Sequence, residues 1–268
     1  EAIVDLVEPM KRGQDPALLL AAAEANMAAG EVTKAFENAL AAKHLSPKAW
    51  EPVLLEGRFN HSLGKQNDAK DAFVIAVRLA AGQSVVPSLE LGRLELSVGN
   101  VDAAYEAGQA AVKIKATSTP AHILVGQCQL RRAEIKDAVE TYRRALDLDP
   151  EEVDAEVGLA NALAEMAIRT ENPLASPELA QALPLFSDAL SKRPTDPEIM
   201  FDYGKILELT KDRNGALDLY RDAAQLNPKD VRPHLAMVRA YMDTEPVNLP
   251  LAKEAAKAAE KLAPLEAD

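Results

Sequence analysis

Residues 197–230 read P-E-I-M-F-D-Y-G-K-I-L-E-L-T-K-D-R-N-G-A-L-D-L-Y-R-D-A-A-Q-L-N-P-K-D, and this 34-residue stretch decides the fold. Met200, Tyr203, Gly204 and Leu207 recur three and four apart, as do Ala216, Leu219, Tyr220 and Ala223. That spacing predicts two helices, each with one buried face. The polar run Lys211-Asp212-Arg213-Asn214-Gly215 between them reads as the turn, and Pro228 ends the second helix because it lacks an N–H and clashes with the preceding turn. A single hairpin of this size cannot bury its own apolar faces, so it needs neighbours.

The chain supplies them at a fixed step of about 34 residues. Ala216 corresponds to Ala35, Ala69, Ala104, Ala138, Ala182 and Ala252. Gly204 corresponds to Ala23, Gly57, Gly92, Gly126, Gly158 and Val238, and Ala223 to Ala42, Ala76, Ala111, Ala145, Ala189 and Ala259. Small residues at these places let two helices cross closely. Aromatic rings at Phe73, Tyr142, Phe186 and Tyr220 are expected to fill the gaps between hairpins, whereas Ala39, Gly108 and Ala256 hold the same slot in three copies. Pro47, Pro150, Pro194, Pro228 and Pro264 close five of the repeats.

This register resembles the tetratricopeptide repeat, W-x-x-L-G-x-x-Y followed by A-x-x-x-F and P. The likeness runs over about residues 16–266 in seven copies, with Leu19, Val53, Ser88, His122, Asp154, Met200 and His234 in the tryptophan slot. It implies an all-α, right-handed superhelical solenoid of about seven helix-turn-helix repeats. Residues 1–15 are expected to form an N-terminal helix, either a cap or the remnant of an upstream repeat, and residues 16–268 the solenoid. Gly30, Gly64 and Gly99 fall at hairpin turns, where a positive φ is free of penalty only for glycine.

Repeat five departs from the period. Gly158 to Ala182 is 24 residues where Gly204 to Ala216 is 12, so an insertion lies around 169–180. Glu171-Asn172-Pro173 reads as a stop and Ser176-Pro177-Glu178 as a start with Ser as N-cap. A lengthened first helix, a loop and an extra turn or short helix follow from this. Pro184 is expected to kink the next helix or to mark its true start. Repeat seven carries about two extra residues around Glu245–Pro250.

Composition narrows the function. Of 268 residues, 48% are hydrophobic but only 4% aromatic, as suits an alanine- and leucine-rich helical repeat. The net charge of −12 argues against binding nucleic acid or an anionic membrane surface. No run is long enough to insert in a bilayer. Cys128 is the one cysteine, so no intrachain disulfide forms, and its helix position beside Gly126 predicts a buried, inert thiol. Trp50 is expected to pack between hairpins. His44, His61, His122 and His234 lie in four separate repeats without metal-ligand spacing. The paired acids Asp147/Asp149 and Glu151/Glu152 read as turn and cap residues. Nothing here points to catalysis, a cofactor or a metal.

The family's first helices line a concave groove. Mapped onto this chain, an apolar row reads Leu20, Leu54, Leu89, Ile123, Ala155, Phe201 and Leu235, and four residues on, a second row reads Glu24, Arg58, Arg93, Gln127, Leu159, Lys205 and Arg239. Arg131 and Arg132 lie close by. The expected partner-binding set is Leu54, Arg58, Leu89, Arg93, Ile123, Gln127, Arg131, Phe201, Lys205, Leu235 and Arg239, and the expected partner a protein or peptide with acidic groups. The competing reading pairs these bases with Glu51, Glu90, Glu95, Glu152 and Glu208. Some family members grip a chaperone's terminal carboxylate with Lys and Asn; here the slots hold Leu20/Glu24, Leu54/Arg58 and Leu89/Arg93, so that clamp is missing.

The resemblance therefore implies a non-catalytic adaptor. The alternatives are a component of a bacterial envelope-assembly, secretion or polysaccharide-export machine, or the recognition region of a larger enzyme. Self-association through uncapped ends is a further expectation. The sequence starts at Glu1 without a methionine, which suggests that an upstream part has been removed and leaves cytoplasm and periplasm both open.

Overall fold

The structure, a computed structural model, describes residues 15–244 and 247–262. The helix expected at the N-terminus and residues 245 and 246 lie outside that description. The described residues are all-α, apart from loops and one 3-10 turn. They divide into two compact units, one ending at Arg132 and the other beginning at Ala133.

The first unit contains α1 (Pro16–Ala28), α2 (Val32–Leu45), α3 (Glu51–Ser62), α4 (Gln66–Ala80), α5 (Val86–Ser97), α6 (Val101–Ile114) and α7 (Thr119–Arg131). Each helix packs against the next, α1 also reaches α3, and α5 reaches α7. The repeated alanines are where the helices cross: Ala23, Ala42, Ala69, Ala76, Ala104 and Ala111 have no exposed surface. Phe73 is 1% exposed and stands over Gly57 of its own hairpin, where an added Cβ would lie 2.5 Å from the ring. Trp50 packs against the cluster of Val53, Leu54, Phe73 and Leu94, as expected. Gly30, Gly64 and Gly99 take φ of +75°, +72° and +85° at the hairpin turns.

The second unit contains α8 (Ile135–Leu148), α9 (Val153–Ile168), a 3-10 turn (Pro173–Ala175), α10 (Pro177–Lys192), α11 (Pro197–Leu209), α12 (Arg213–Leu226), α13 (Arg232–Met242) and α14 (Leu249–Leu262). Neighbours in sequence pack together, and α9 reaches α11, which reaches α13. Tyr142, Phe186 and Tyr220 are buried to within 1%. Tyr142 stands over Gly158 of the following hairpin, and Tyr220 over Gly204 of its own.

The insertion in repeat five takes the form its sequence signals require. α9 is 16 residues long, the 3-10 turn follows, and the Leu179 amide donates to Ser176 Oγ at 3.1 Å to cap α10. Pro184 lies inside α10, whose true start is Pro177. It leaves the carbonyl of Ala180 without a helical donor, on an exposed side of the helix where water can answer it. Gly215, read above as part of a turn, sits in the first turn of α12, and its amide donates to Asp212 Oδ1 at 3.0 Å. The left-handed residue of that turn is Lys211, with φ of +64°. A proline at the first or second position starts every first helix except α9, and it also starts the second helices α10 and α14.

Candidate partner-binding surfaces

In the first unit the apolar row is core. Leu54 is 4%, Leu89 6% and Ile123 9% exposed, so these side chains hold the first helices in place and offer a partner no free anchor. The charged row divides. Arg58 Nε and Nη2 donate to Glu90 Oε1 at 2.9 and 2.5 Å, which ties α3 to α5 and neutralises that cation. Arg93 on α5 and Arg131 on α7 are exposed, and neither makes a hydrogen bond or ion pair among the described residues. Gln127 is exposed one turn before Arg131, on the same side of α7. Arg132 lies with its guanidinium 4.5 Å from the Tyr105 ring centre and 3.6 Å from Asp102 Oδ1. Two acids of the competing set are accounted for: Glu90 by Arg58, and the buried Glu95 by Lys70 Nζ at 2.7 Å and Asn100 Nδ2 at 2.7 Å.

Cys128 lies beneath this surface with no exposed area. Burial pushes its thiol up to about 11, against the opposing field of Arg132 and Arg131, so it carries no thiolate at neutral pH.

In the second unit a cleft of about 330 Å³ opens along the first helices α9, α11 and α13. Lys205 and Arg239 line it, as do Ile168, Ile206, Leu209 and Glu165. Ile168 belongs to the last turn of the lengthened α9 and is 45% exposed. The cations are only partly free: Lys205 Nζ is 3.2 Å from Asp202 Oδ1, and Arg239 Nη2 is 3.5 Å from Glu208 Oε2. Glu208 in turn accepts the buried Tyr220 hydroxyl at 2.6 Å. Two predicted anchors stand apart from the cleft lining. Phe201 is half-buried between Arg232 and Lys205, whose charges lie 5.0 and 5.7 Å from its ring centre. Leu235 is 51% exposed. The residues that sequence mapping missed, Glu165 and Ile168 on α9 and Ile206 and Leu209 on α11, lie outside the two rows that were mapped.

His122 Nε2 lies 2.9 Å from the Ala116 carbonyl, and Asp149 and Glu152 accept from amides two residues on. Among the described residues no group of His, Cys, Asp and Glu could hold a metal ion, and no helix is long and apolar enough to cross a membrane.

Comparisons with known proteins agree with this architecture. A family profile described as tetratricopeptide repeat matches residues 126–165 and 175–231. No curated protein matches the sequence. Among solved structures, the chain is similar to one from the APC/C hetero-tetramer Cut9–Hcn1, with a TM-score of 0.74 and 14% identity over 88% of this chain. It spans only 45% of that chain's length. It is also similar to pilF of Pseudomonas aeruginosa, with a TM-score of 0.62, 17% identity, and coverage of 81% of this chain and 93% of the other. A thermophilic TPR protein of Thermus thermophilus gives a TM-score of 0.58, 19% identity, and coverage of 72% and 98%. Identities this low speak to fold alone. The profile match assigns tetratricopeptide repeats to residues 126–165 and 175–231, and hairpins in one register, with small residues at most crossings, together with these likenesses give the chain the fold of a tetratricopeptide-type helical solenoid.

Proposed function

We propose that the chain is a non-catalytic adaptor that binds a partner polypeptide on the first-helix faces, with acidic partner side chains meeting Arg93 and Arg131. The tetratricopeptide fold generally serves as a scaffold between proteins. The observation that carries the finer reading is the unmatched pair of guanidinium groups on α5 and α7, exposed on a chain whose net charge is −12. An arginine without a carboxylate partner keeps its fork geometry for a carboxylate brought by a ligand. The cleft along α9, α11 and α13 is a separate surface, where Ile168, Ile206 and Leu209 surround a place for an apolar side chain beside Lys205 and Arg239.

Panning a displayed peptide library on the intact chain tests this. Peptides rich in Asp and Glu should be selected, their binding should weaken as ionic strength rises, and the double substitution Arg93→Glu with Arg131→Glu should abolish selection while leaving helicity unchanged. Selection of neutral or basic peptides, or of the same acidic peptides by the double variant, would remove the reading.

A further inference from the structure

α1 is apolar on nearly all sides. Its sequence, P-A-L-L-L-A-A-A-E-A-N-M-A, holds one charge, Glu24. Leu19 and Ala23 are buried, but Leu18 is 70% exposed, and Ala17, Ala21, Ala22, Ala25 and Ala28 are exposed with it. A helix without a polar side is ordinarily buried all round. The other repeats show what is missing. The register position of Leu18 is buried in each of the six other first helices, at Pro52, Pro87, Ala121, Val153, Ile199 and Pro233. That of Ala25 is buried in five of them, at Leu94, Cys128, Ala160, Ile206 and Ala240. The cover comes from the second helix of the hairpin before, as α6 covers α7 through Ala104 and Ala111. Among the described residues no helix precedes α1.

The stretch just upstream, residues 1–8, reads E-A-I-V-D-L-V-E. At helical spacing Ala2, Ile3, Leu6 and Val7 share one side, and Glu1, Asp5 and Glu8 share the other. Pro9 stops a helix there, because it has no N–H to donate. Eight helical residues span about 12 Å, close to the roughly 11 Å from Leu18 to Ala25 along α1. Residues 9–15 leave chain enough to reverse direction, since four or five residues join one described hairpin to the next. A tether this short holds the segment near α1 at an effective concentration on the order of millimolar, far above that of a second copy in micromolar solution. The other end of the chain is also a poor match. α14 places Lys253 and Glu260 where Leu217 and Ala224 of α12 meet α13, so a second copy would bring charge to an apolar face.

We propose that residues 1–8 form two helical turns that lie antiparallel on α1 and cover Leu18, Ala22 and Ala25, closing this apolar face from within the chain. Ile3, Leu6 and Val7 supply the apolar surface, and the alanines of α1 let the two backbones approach. Glu1, Asp5 and Glu8 face water. The contact is independent of the arginine surface on α5 and α7.

Amide hydrogen exchange on the intact, isotope-labelled chain tests this. Two turns of helix are not stable alone in water, so protection of the Asp5, Leu6, Val7 and Glu8 amides reports docking. These amides should exchange at least about tenfold more slowly than in Ala22→Glu, which puts a charge on the docking face of α1. Glutamate suits an exposed helix position, so circular dichroism should stay nearly unchanged in that variant. Leu6→Asp, altering the segment instead, should shift the amide resonances of Ala21, Ala22 and Ala25 and leave those of Arg93 and Arg131 in place. Free exchange of residues 5–8 in the unaltered chain, protection that survives Ala22→Glu, or protection that appears only as protein concentration rises, which assigns the face to a second copy, would each overturn the proposal.

Discussion

Substituting Gly204 by Ala sets two effects against each other, and the structure decides the sign. Gly204 lies within α11, where alanine is the better helix former by about 0.5–1 kcal/mol. But a Cβ there would lie 2.6 Å from Cε1, 2.9 Å from Cδ1 and 3.1 Å from Cζ of Tyr220. Ordinary contact begins near 3.4 Å, so the ring must retreat by several tenths of an ångström. It has little freedom to do so: Tyr220 has no exposed area, its hydroxyl is held by Glu208 at 2.6 Å, and the Phe201 ring lies 5.7 Å away. Overfilling a site of this kind costs about 1–3 kcal/mol, which leaves a net loss of about 0.5–2 kcal/mol. The measurement is urea unfolding followed by circular dichroism at constant slope. In a Tyr220→Leu background the clash is gone, and Gly204→Ala should become neutral or stabilising by up to about 1 kcal/mol. A stabilising Gly204→Ala with Tyr220 intact, or a coupling between the two positions below about 0.5 kcal/mol, would refute the close fit of ring on glycine.

Three further predictions rest on single groups. Glu95→Ala leaves Lys70 and Asn100 without their acceptor and should cost about 1–3 kcal/mol, read from the same urea curves, with Lys70→Ala milder because that side chain is largely exposed. Hydrogen bonding from Arg232 holds the Asp230 carboxyl below its ordinary range despite partial burial, so its contribution to stability is complete above about pH 4 and is lost as pH falls through the depressed folded value. A carbon-13 titration of Asp230 should show the low midpoint, and Arg232→Gln should raise it. Cys128 should resist thiol reagents at pH 8 in the folded chain and react fully in denaturant, because it is buried and its thiol is shifted to about 11.

Much of this fold was legible because the crossing points need small residues and nothing else fits there. Ala69, Ala104, Ala138, Ala182 and Ala216, read from a 34-residue period, are all without exposed surface. The aromatic slots were legible for the complementary reason. The surface was less so. Helical periodicity assigns a residue to a face but does not say what stands across from it, so Leu54 and Leu89 read as anchors when neighbouring helices bury them. Leu235 occupies the same place in its hairpin, but no described hairpin follows α14, and it stays exposed. The partners of the groove cations depend on long-range pairing: Arg58 meets Glu90 from the next hairpin, while Arg93 meets no carboxylate among the described residues. The cleft on α9 takes Ile168 from the lengthened end of that helix, ahead of the insertion, where a fixed repeat places no helical residue. The left-handed Lys211 escaped notice because Gly215, four residues later, looked the better turn former.

The alternation of aromatic and small residues in the inter-hairpin slot also bears on how the chain would yield to force. Each hairpin touches mainly its sequence neighbours, so traction on the termini would peel hairpins away one at a time and would not break one cooperative core. Each release would add a contour length of about 110–120 Å, the span of 34 extended residues. Joints wedged by Phe73, Phe186 and Tyr220 would bear the larger load, and those where Ala39 and Gly108 offer a methyl group or less would part first.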